Sequence, residues 1–397
     1  TRVNIGVYLM IEYLYCPILK TRQSEIDAYD MLAPAVKDAI LPIIEMTGAL
    51  GYTYPKNYKI EKLRHTHRSG DIYKKINKIL DLVQNRHFIL DITDDESLMY
   101  DGLKEDGGLL DPNNGYEKWI SFLNKDDKFK KLVIPTIQFD TNYKEDLIEQ
   151  IKKLDNSFKY LAVKLPAFTS SKNVFSSDIV FNESIQRIIS WIAQFIKSRK
   201  LILIIDFGYI KNFDIYETII DKGMQQFNSL DIIKAIVPVS SSFPNFVVSV
   251  SKPIRSFENT ISSVVKKYVQ HFDIPVVHGD YAAIHPTKYE MGGGGWIPRI
   301  DYVVRDEIGQ PICYDYARGN KKNTSSEYPI LARLVIDSYN YKPITEIITE
   351  GDIRIRNRAN NGEEGKAPSY WIAVRSNLYV TAQYLYIKKV TFGSLFL

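Results

Sequence analysis

Eight short runs rich in Ile, Val and Leu, each followed by a longer stretch of helical period, constrain this chain more than any other feature. The runs are 16–20, 40–45, 87–91, 131–138, 160–164, 201–206, 233–240 and 274–278. Most do not alternate with polar residues, so they read as strands buried on both faces, as in a parallel sheet. The stretches between them carry apolar stripes. Ile72, Ile76, Ile79, Leu80 and Val83 form one, Leu147, Ile148, Ile151 and Leu154 another, and Ile185, Ile188, Ile189, Ile192, Phe195 and Ile196 a third. Spacings of three and four residues put each set on one helix face. Ser24 and Ser256 stand where helix N-caps are expected.

Eight βα units without a break in composition predict an α/β fold, a (β/α)8 TIM-type barrel over residues 15–290, with a doubly wound open sheet as the rival. Residues 1–14 read as a leader, the first nine of them preceding Met10. The rhythm changes after residue 290. Gly292, Gly293, Gly294 and Gly295 form a flexible turn or a hinge. Residues 301–305 and 311–316 predict a β-hairpin. Residues 328–338 suit a late eighth barrel helix, 354–366 a polar loop, and 371–387 a helix or a strand. Together 291–397 form a C-terminal α+β appendage, a hairpin and helical segment packed on the barrel.

Composition excludes several classes. An apolar fraction of 45% and a charged fraction of 25% are those of a globular chain, not of collagen or a disordered polymer. Two cysteines, Cys16 and Cys313, make no disulfide framework, and a cytoplasmic location is the expectation. No apolar run reaches the roughly 18 residues that span a bilayer, so no membrane role is expected. A net charge of +4 is too mild to argue for nucleic acid by itself.

In a barrel of this type the site lies at the carboxyl ends of the strands. Polar residues follow each apolar run: Lys20 with Arg22, Glu45, Asp91 with Asp94 and Asp95, Gln138 with Asp140, Lys164, Asp206, the serines 240–242, and His278 with Asp280. Glu45, Asp206, Asp280 and His278 are the candidate catalytic residues, as acid–base groups or hard-cation ligands. Lys20, Arg22, Lys164, Gln138, Tyr281 and Arg318 are the candidate ligand-binding residues, suited to an anion such as a nucleotide or nucleic-acid phosphate. His278, Asp280 and His285 suit either a divalent metal or a general base with its orienting carboxylate. The alternative is a structural Lys–Glu/Asp network within the mouth. His65-Thr66-His67-Arg68 reads as a solvated loop. The basic stretch from Arg318 to Lys322 suits a phosphate contact. Arg354, Arg356 and Arg358 alternate, and would share one face if extended. No GxSxG elbow, CxxC pair or HExxH helix is present, and no Ser-His-Asp order is apparent.

Two stretches carry a resemblance. One is Tyr15-Cys16-Pro17-Ile18-Leu19-Lys20-Thr21-Arg22-Gln23-Ser24-Glu25, followed by Ile40-Leu41-Pro42-Ile43-Ile44-Glu45. The other is Gly279-Asp280-Tyr281-Ala282-Ala283-Ile284-His285-Pro286, with residues 314–319 after it. These resemble the beta protein family of phages, satellite phages and prophages. Ser24 replaces a more usual Gly, and Cys16 a more usual Val; neither change touches a charged position. The resemblance implies a barrel-like domain encoded on mobile elements. It also implies a role in phage–host conflict, beside a partner gene whose toxicity the protein restrains. Lys20, Arg22, Glu25, Glu45, Asp280 and Arg318 match family motif positions, without assigned roles.

Two functions follow. In one, the barrel mouth binds a phosphate-bearing ligand, as a metal-dependent hydrolase or nuclease. In the other, the barrel is a scaffold, and the C-terminal segment, with eight arginines after residue 290, grips a neighbour-encoded protein.

Overall fold

The computed structural model describes residues 13–393 except 50, 54–64, 68–69, 171–178, 229, 246–253, 255, 288–295 and 320–324. The expected leader up to residue 12, the Gly292 to Gly295 run and the basic residues Lys321 and Lys322 therefore lie outside the described residues.

The strands are β1 (Tyr15–Lys20), β2 (Ile43–Met46), β3 (Gly51–Thr53), β4 (His65–His67), β5 (Phe88–Ile92), β6 (Val133–Pro135), β7 (Leu161–Pro166), β8 (Phe168–Ser170), β9 (Ile179–Phe181), β10 (Leu201–Tyr209), β11 (Ile233–Ser241), β12 (His278–Asp280), β13 (Arg299–Arg305) and β14 (Pro311–Arg318). Eight of them lie in parallel sheets; seven overlap the first seven apolar runs, and β12 begins at His278, where the eighth run ends. One sheet has the order β12-β1-β2-β5-β6, the other β11-β10-β7. Isolated parallel bridges join Thr136, just past β6, to Ala162 of β7, and Ile236 of β11 to Val276, just before β12.

Period-two alternation divides these strands between two cores. One face contributes to an inner cluster that includes Cys16, Ile18, Ile43, Ile89, Ile134, Ala162, Ile202, Val237 and Val277. The other face packs against helices in a larger cluster that includes Leu19, Leu90, Leu203 and the stripe residues Ile76, Ile151 and Ile189. The inner rows are tight. A Cβ at Gly279 would lie 2.5 Å from Val239 Cγ1, so only glycine fits this inward position of β12.

The C-terminal part has its own core. The hairpin β13–β14 packs with helices Tyr328–Ile336, Glu350–Ala359 and Pro368–Phe392 through Ile300, Tyr302, Leu331, Val335, Ile355 and Leu378. Helix Tyr328–Ile336 was the expected eighth barrel helix, but it serves this second core. Helix Pro368–Phe392 is the one that lies against helix Gln23–Asp30 and β1, and its Val380 and Tyr384 enter the larger cluster. Residues 354–359, in the stretch expected as a loop, belong to helix Glu350–Ala359. Thr349 caps this helix, accepting from the Asp352 N–H at 3.2 Å. Arg354, Arg356 and Arg358 thus lie on a helix and do not project from one face of an extended segment. Ser24 does not act as a cap: it is buried within helix Gln23–Asp30, whose N-cap is Arg22. Among the described residues, no helix is long and apolar enough to cross a membrane.

Candidate functional site

The inward rows of β1, β2, β5, β7 and β10 begin apolar and end charged. Lys20, Glu45 and Asp91 are register partners across three adjacent strands. Lys164 of β7 and Asp206 of β10 end the corresponding rows on the other sheet. A polar layer therefore closes the apolar interior at the carboxyl ends of the strands.

That layer is a network built on two ammonium groups. Lys20 Nζ donates to Glu45 Oε1 in a very close, buried pair. Lys164 Nζ stands 3.3 Å from Glu45 Oε2, 2.9 Å from Asp91 Oδ2 and 3.7 Å from Asp94 Oδ2. Thr93 Oγ1 donates to Glu45 Oε1 at 2.6 Å. Thr136 Oγ1 donates to Asp91 Oδ1 at 2.8 Å and accepts from Gln138 Nε2 at 2.6 Å. Burial favours the neutral form of Glu45. The ammoniums of Lys164 and Lys20 outweigh it and hold the carboxyl down to about 2. Burial likewise opposes the charge of Lys164, but Asp91, Glu45 and Asp94 hold its ammonium well above the ordinary lysine range.

Asp206 behaves oppositely. Its carboxyl accepts from Tyr281 OH at 2.5 Å and from the Gly208 N–H at 2.8 Å. Burial nevertheless dominates and pushes it up to about 6, against the pull of Lys164 and these hydrogen bonds. A carboxyl poised there changes protonation state near neutral pH and is able to move a proton.

Two clefts meet at Asp94. The larger, about 670 Å³, is lined by Lys164, Asp91, Asp94, Gln138 and Asn182, by Lys144 and Arg187 from helices Lys144–Ser157 and Ser184–Ile192, and by Phe139 and Trp191. The two rings meet edge to face, 6.1 Å apart. The second, about 340 Å³, is lined by Asp206, Tyr281, Asp94 and Asp95. Asp94 and Pro166 border both.

The structure thus brings together Lys20, Glu45, Lys164 and Gln138, and sets Asp206 with Tyr281 beside them. It does not bring in His278 and Asp280. These lie on the opposite face of β12, because Gly279 and Tyr281 take the inward positions. Tyr15 OH donates to Asp280 Oδ1 at 2.5 Å, His278 Nε2 lies 3.2 Å from Asp280 Oδ2, and Ser262 Oγ lies 2.8 Å from His278 Nδ1. This chain ties helix Glu258–Val269 to β12 and β1. It is a Ser–His–Asp sequence in space that no linear motif announced.

His285 is not part of it, meeting Thr287 and the ring of Tyr209. His278, Asp280 and His285 therefore do not come together as the metal ligands that were one of the two alternatives for them. Among the described residues, no three His, Cys, Asp or Glu side chains are grouped to hold a metal ion. Arg22 lies outside the network and lines a separate cleft. Arg318 belongs to the C-terminal hairpin, its backbone paired with Arg299.

Sequence reasoning missed Thr93, Thr136, Lys144, Asn182, Arg187 and Trp191. The two threonines had a signal, being polar residues in or beside apolar runs. The others sit on helices or connections, where sequence spacing alone does not aim a side chain at the strand ends.

The sequence model of the family described as "Beta protein" matches residues 15–384. A relative from Enterobacteria phage P4, "Protein beta", is 26% identical over 377 residues, covering 94% of this chain and 93% of its own. A match over nearly the whole chain, carrying both parallel sheets and the C-terminal helices, places it in the beta protein family.

Proposed function

We propose that this member of the beta family acts in phage defence or in the control of host killing, by binding a phosphate-bearing ring compound of the nucleotide class at its strand ends. The observation that carries the reading is the 670 Å³ cleft, which has a volume typical of small-molecule sites. Lys164, Lys144 and Arg187 supply cations for a phosphate, and Phe139 and Trp191 supply an aromatic wall for a ring. The reading takes the eight strands as one closed (β/α)8 barrel. The two isolated bridges, and the inner cluster to which seven of the strands and the residues flanking β12 contribute, support that closure.

Asp206 is the group that would hold and release a proton at its Oδ2, with Tyr281 OH fixing the carboxyl. Glu45 and Asp91 are neutralised by lysine, so the reading assigns them the task of orienting Lys164 and not metal ligation.

Calorimetric titration with AMP and ATP tests this. The unsubstituted protein is expected to bind at least one of them. Arg187→Met should weaken binding about tenfold or more, as loss of a charge-assisted hydrogen bond does. The same substitution in the native locus should abolish protection in a phage-challenge plating assay. Absence of binding at millimolar nucleotide would refute the ligand class, and full protection by a variant that no longer binds would separate the cleft from the biological role.

A specific observation favours a second reading, in which the C-terminal part grips a neighbour-encoded protein. Ile330 and Leu334, one turn apart on helix Tyr328–Ile336, are 58% and 55% exposed, and Tyr339 and Ile348 are more exposed still. Such exposed apolar side chains are common at protein interfaces. Co-purification of the neighbouring gene product, lost in Leu334→Asp, would support it; co-purification unchanged in that variant would count against this face.

A further inference from the structure

A third cleft, about 420 Å³, opens beside the carboxyl ends of β1 and β2 and shares no lining residue with the other two. Three cationic side chains line it, Arg22, Lys75 and Lys78; among the described residues, no acidic residue lines it. Lys75 reaches it from helix Ile72–Val83 and directs its N–H groups only to neutral oxygens. These are the Gly48 carbonyl at 2.6 Å, the Thr47 hydroxyl at 2.8 Å and the Thr47 carbonyl at 3.3 Å.

The nearest carboxylates hold the other two cations loosely. Glu25 Oε1 lies 3.7 Å from Arg22 Nε, and Asp27 Oδ1 lies 3.9 Å from Lys78 Nζ. Burial pushes the Glu25 carboxyl up to about 7, so it is only partly ionised near neutrality. Burial and the like charge of Arg22 push Lys75 down to about 8. Positive charge is therefore in excess, and the three cations gain if an anion enters. The hydroxyls of Thr21 and Thr47, 3.0 Å apart, add further hydrogen-bonding groups, and Ile26, Leu98 and Tyr100 line the cleft with apolar surface.

We infer that this cleft is a second binding site, one that takes the phosphate group of a phosphomonoester whose organic part lies along Ile26, Leu98 and Tyr100. The guanidinium of Arg22 offers a fork to two phosphate oxygens, and the two lysines act as point charges. The inference stands independently of the function proposed for the larger cleft.

Calorimetry with AMP and with inorganic phosphate tests it on the full chain, using Lys78→Met, Lys75→Met and, for the larger cleft, Arg187→Met. Lys78 is exposed at the surface, so its replacement should leave the unfolding midpoint in place even where loss of the Lys75 contacts does not. AMP is expected to bind a site that both lysine variants weaken by about tenfold or more and that Arg187→Met leaves intact. Tighter binding of AMP than of phosphate would confirm the apolar wall; equal binding would remove the organic part from the proposal. AMP binding unchanged in both lysine variants would overturn the site. Binding lost only in Arg187→Met would overturn it while leaving the larger cleft standing.

Discussion

Two buried ionic networks hold this molecule together, one at the strand ends and one in the C-terminal part. In the first, Lys20, Glu45, Lys164 and Asp91 join four strands. In the second, Asp301 of β13 lies between Arg375, in a very close pair, and Arg299 at 3.0 Å. Arg375 also lies over the ring of Phe243, 3.9 Å from its centroid. Both networks exclude water from full charges, which is costly unless geometry and hydrogen bonds compensate. The difference is in what they face. The C-terminal network fastens helix Pro368–Phe392 to the hairpin. The strand-end network borders the 670 Å³ cleft and stands beside a carboxyl whose proton affinity is shifted to near neutrality. Buried charge alone does not mark a site; an adjoining cleft and a poised proton do.

The largest expected effects break the networks themselves. Glu45→Leu strands Lys20 while Lys164 keeps Asp91 and Asp94, and Asp301→Leu strands Arg375. Each should lower unfolding free energy by about 3–5 kcal/mol in urea titrations. The comparison requires them to part in function: folded Asp301→Leu protein should bind nucleotide normally, and folded Glu45→Leu protein should not. Equal binding by both would erase the distinction drawn between the networks.

Next in size is Gly279→Ala. Its Cβ would meet Val239 Cγ1 at 2.5 Å and Val237 Cγ1 at 2.9 Å. Overpacking of this kind costs about 1–3 kcal/mol, measurable as a lower denaturant midpoint. A neutral result would mean that the inner face of β12 is looser than described.

The pH dependence of stability distinguishes the carboxyls more finely. Asp206 has a folded pKa of about 6, raised above its unfolded value. Its contribution is therefore present below the unfolded value, near about 3.9, and is lost as pH rises through about 6. Asp206→Asn should remove that segment of the stability profile and leave the protein at least as stable as the unsubstituted chain at neutral pH. A profile unchanged by Asp206→Asn would assign the segment to another group.

The smallest effect belongs to the surface. Arg305 pairs with both carboxylate oxygens of Glu346, at 2.7 and 2.8 Å, and its hydrogen bonds hold that carboxyl down to about 2. Both partners are solvent-accessible, so Arg305→Ala should cost less than about 1 kcal/mol and leave both networks untouched.

The strand-end network was legible in the sequence because Lys20, Glu45, Lys164 and Asp206 each end an apolar run. His278 and Asp280 were misplaced by the same rule. A single glycine at 279 occupies the inward position, and the apolar run does not reveal which parity β12 takes. Lys144, Arg187 and Trp191 depend on how helices pack across the strand ends, a tertiary property that sequence spacing does not carry. Helix Glu350–Ala359 was hidden by a composition rich in Arg, Asn and Gly, although Thr349 followed three residues later by Asp352 was its visible capping signal.

The most direct test of the central claim is hydrogen–deuterium exchange with and without ATP. Ligand in the larger cleft should slow exchange in residues 138–147 and 182–191, and the slowing should vanish in Arg187→Met. Exchange unchanged there while ATP demonstrably binds, or protection confined to the C-terminal helices, would contradict it.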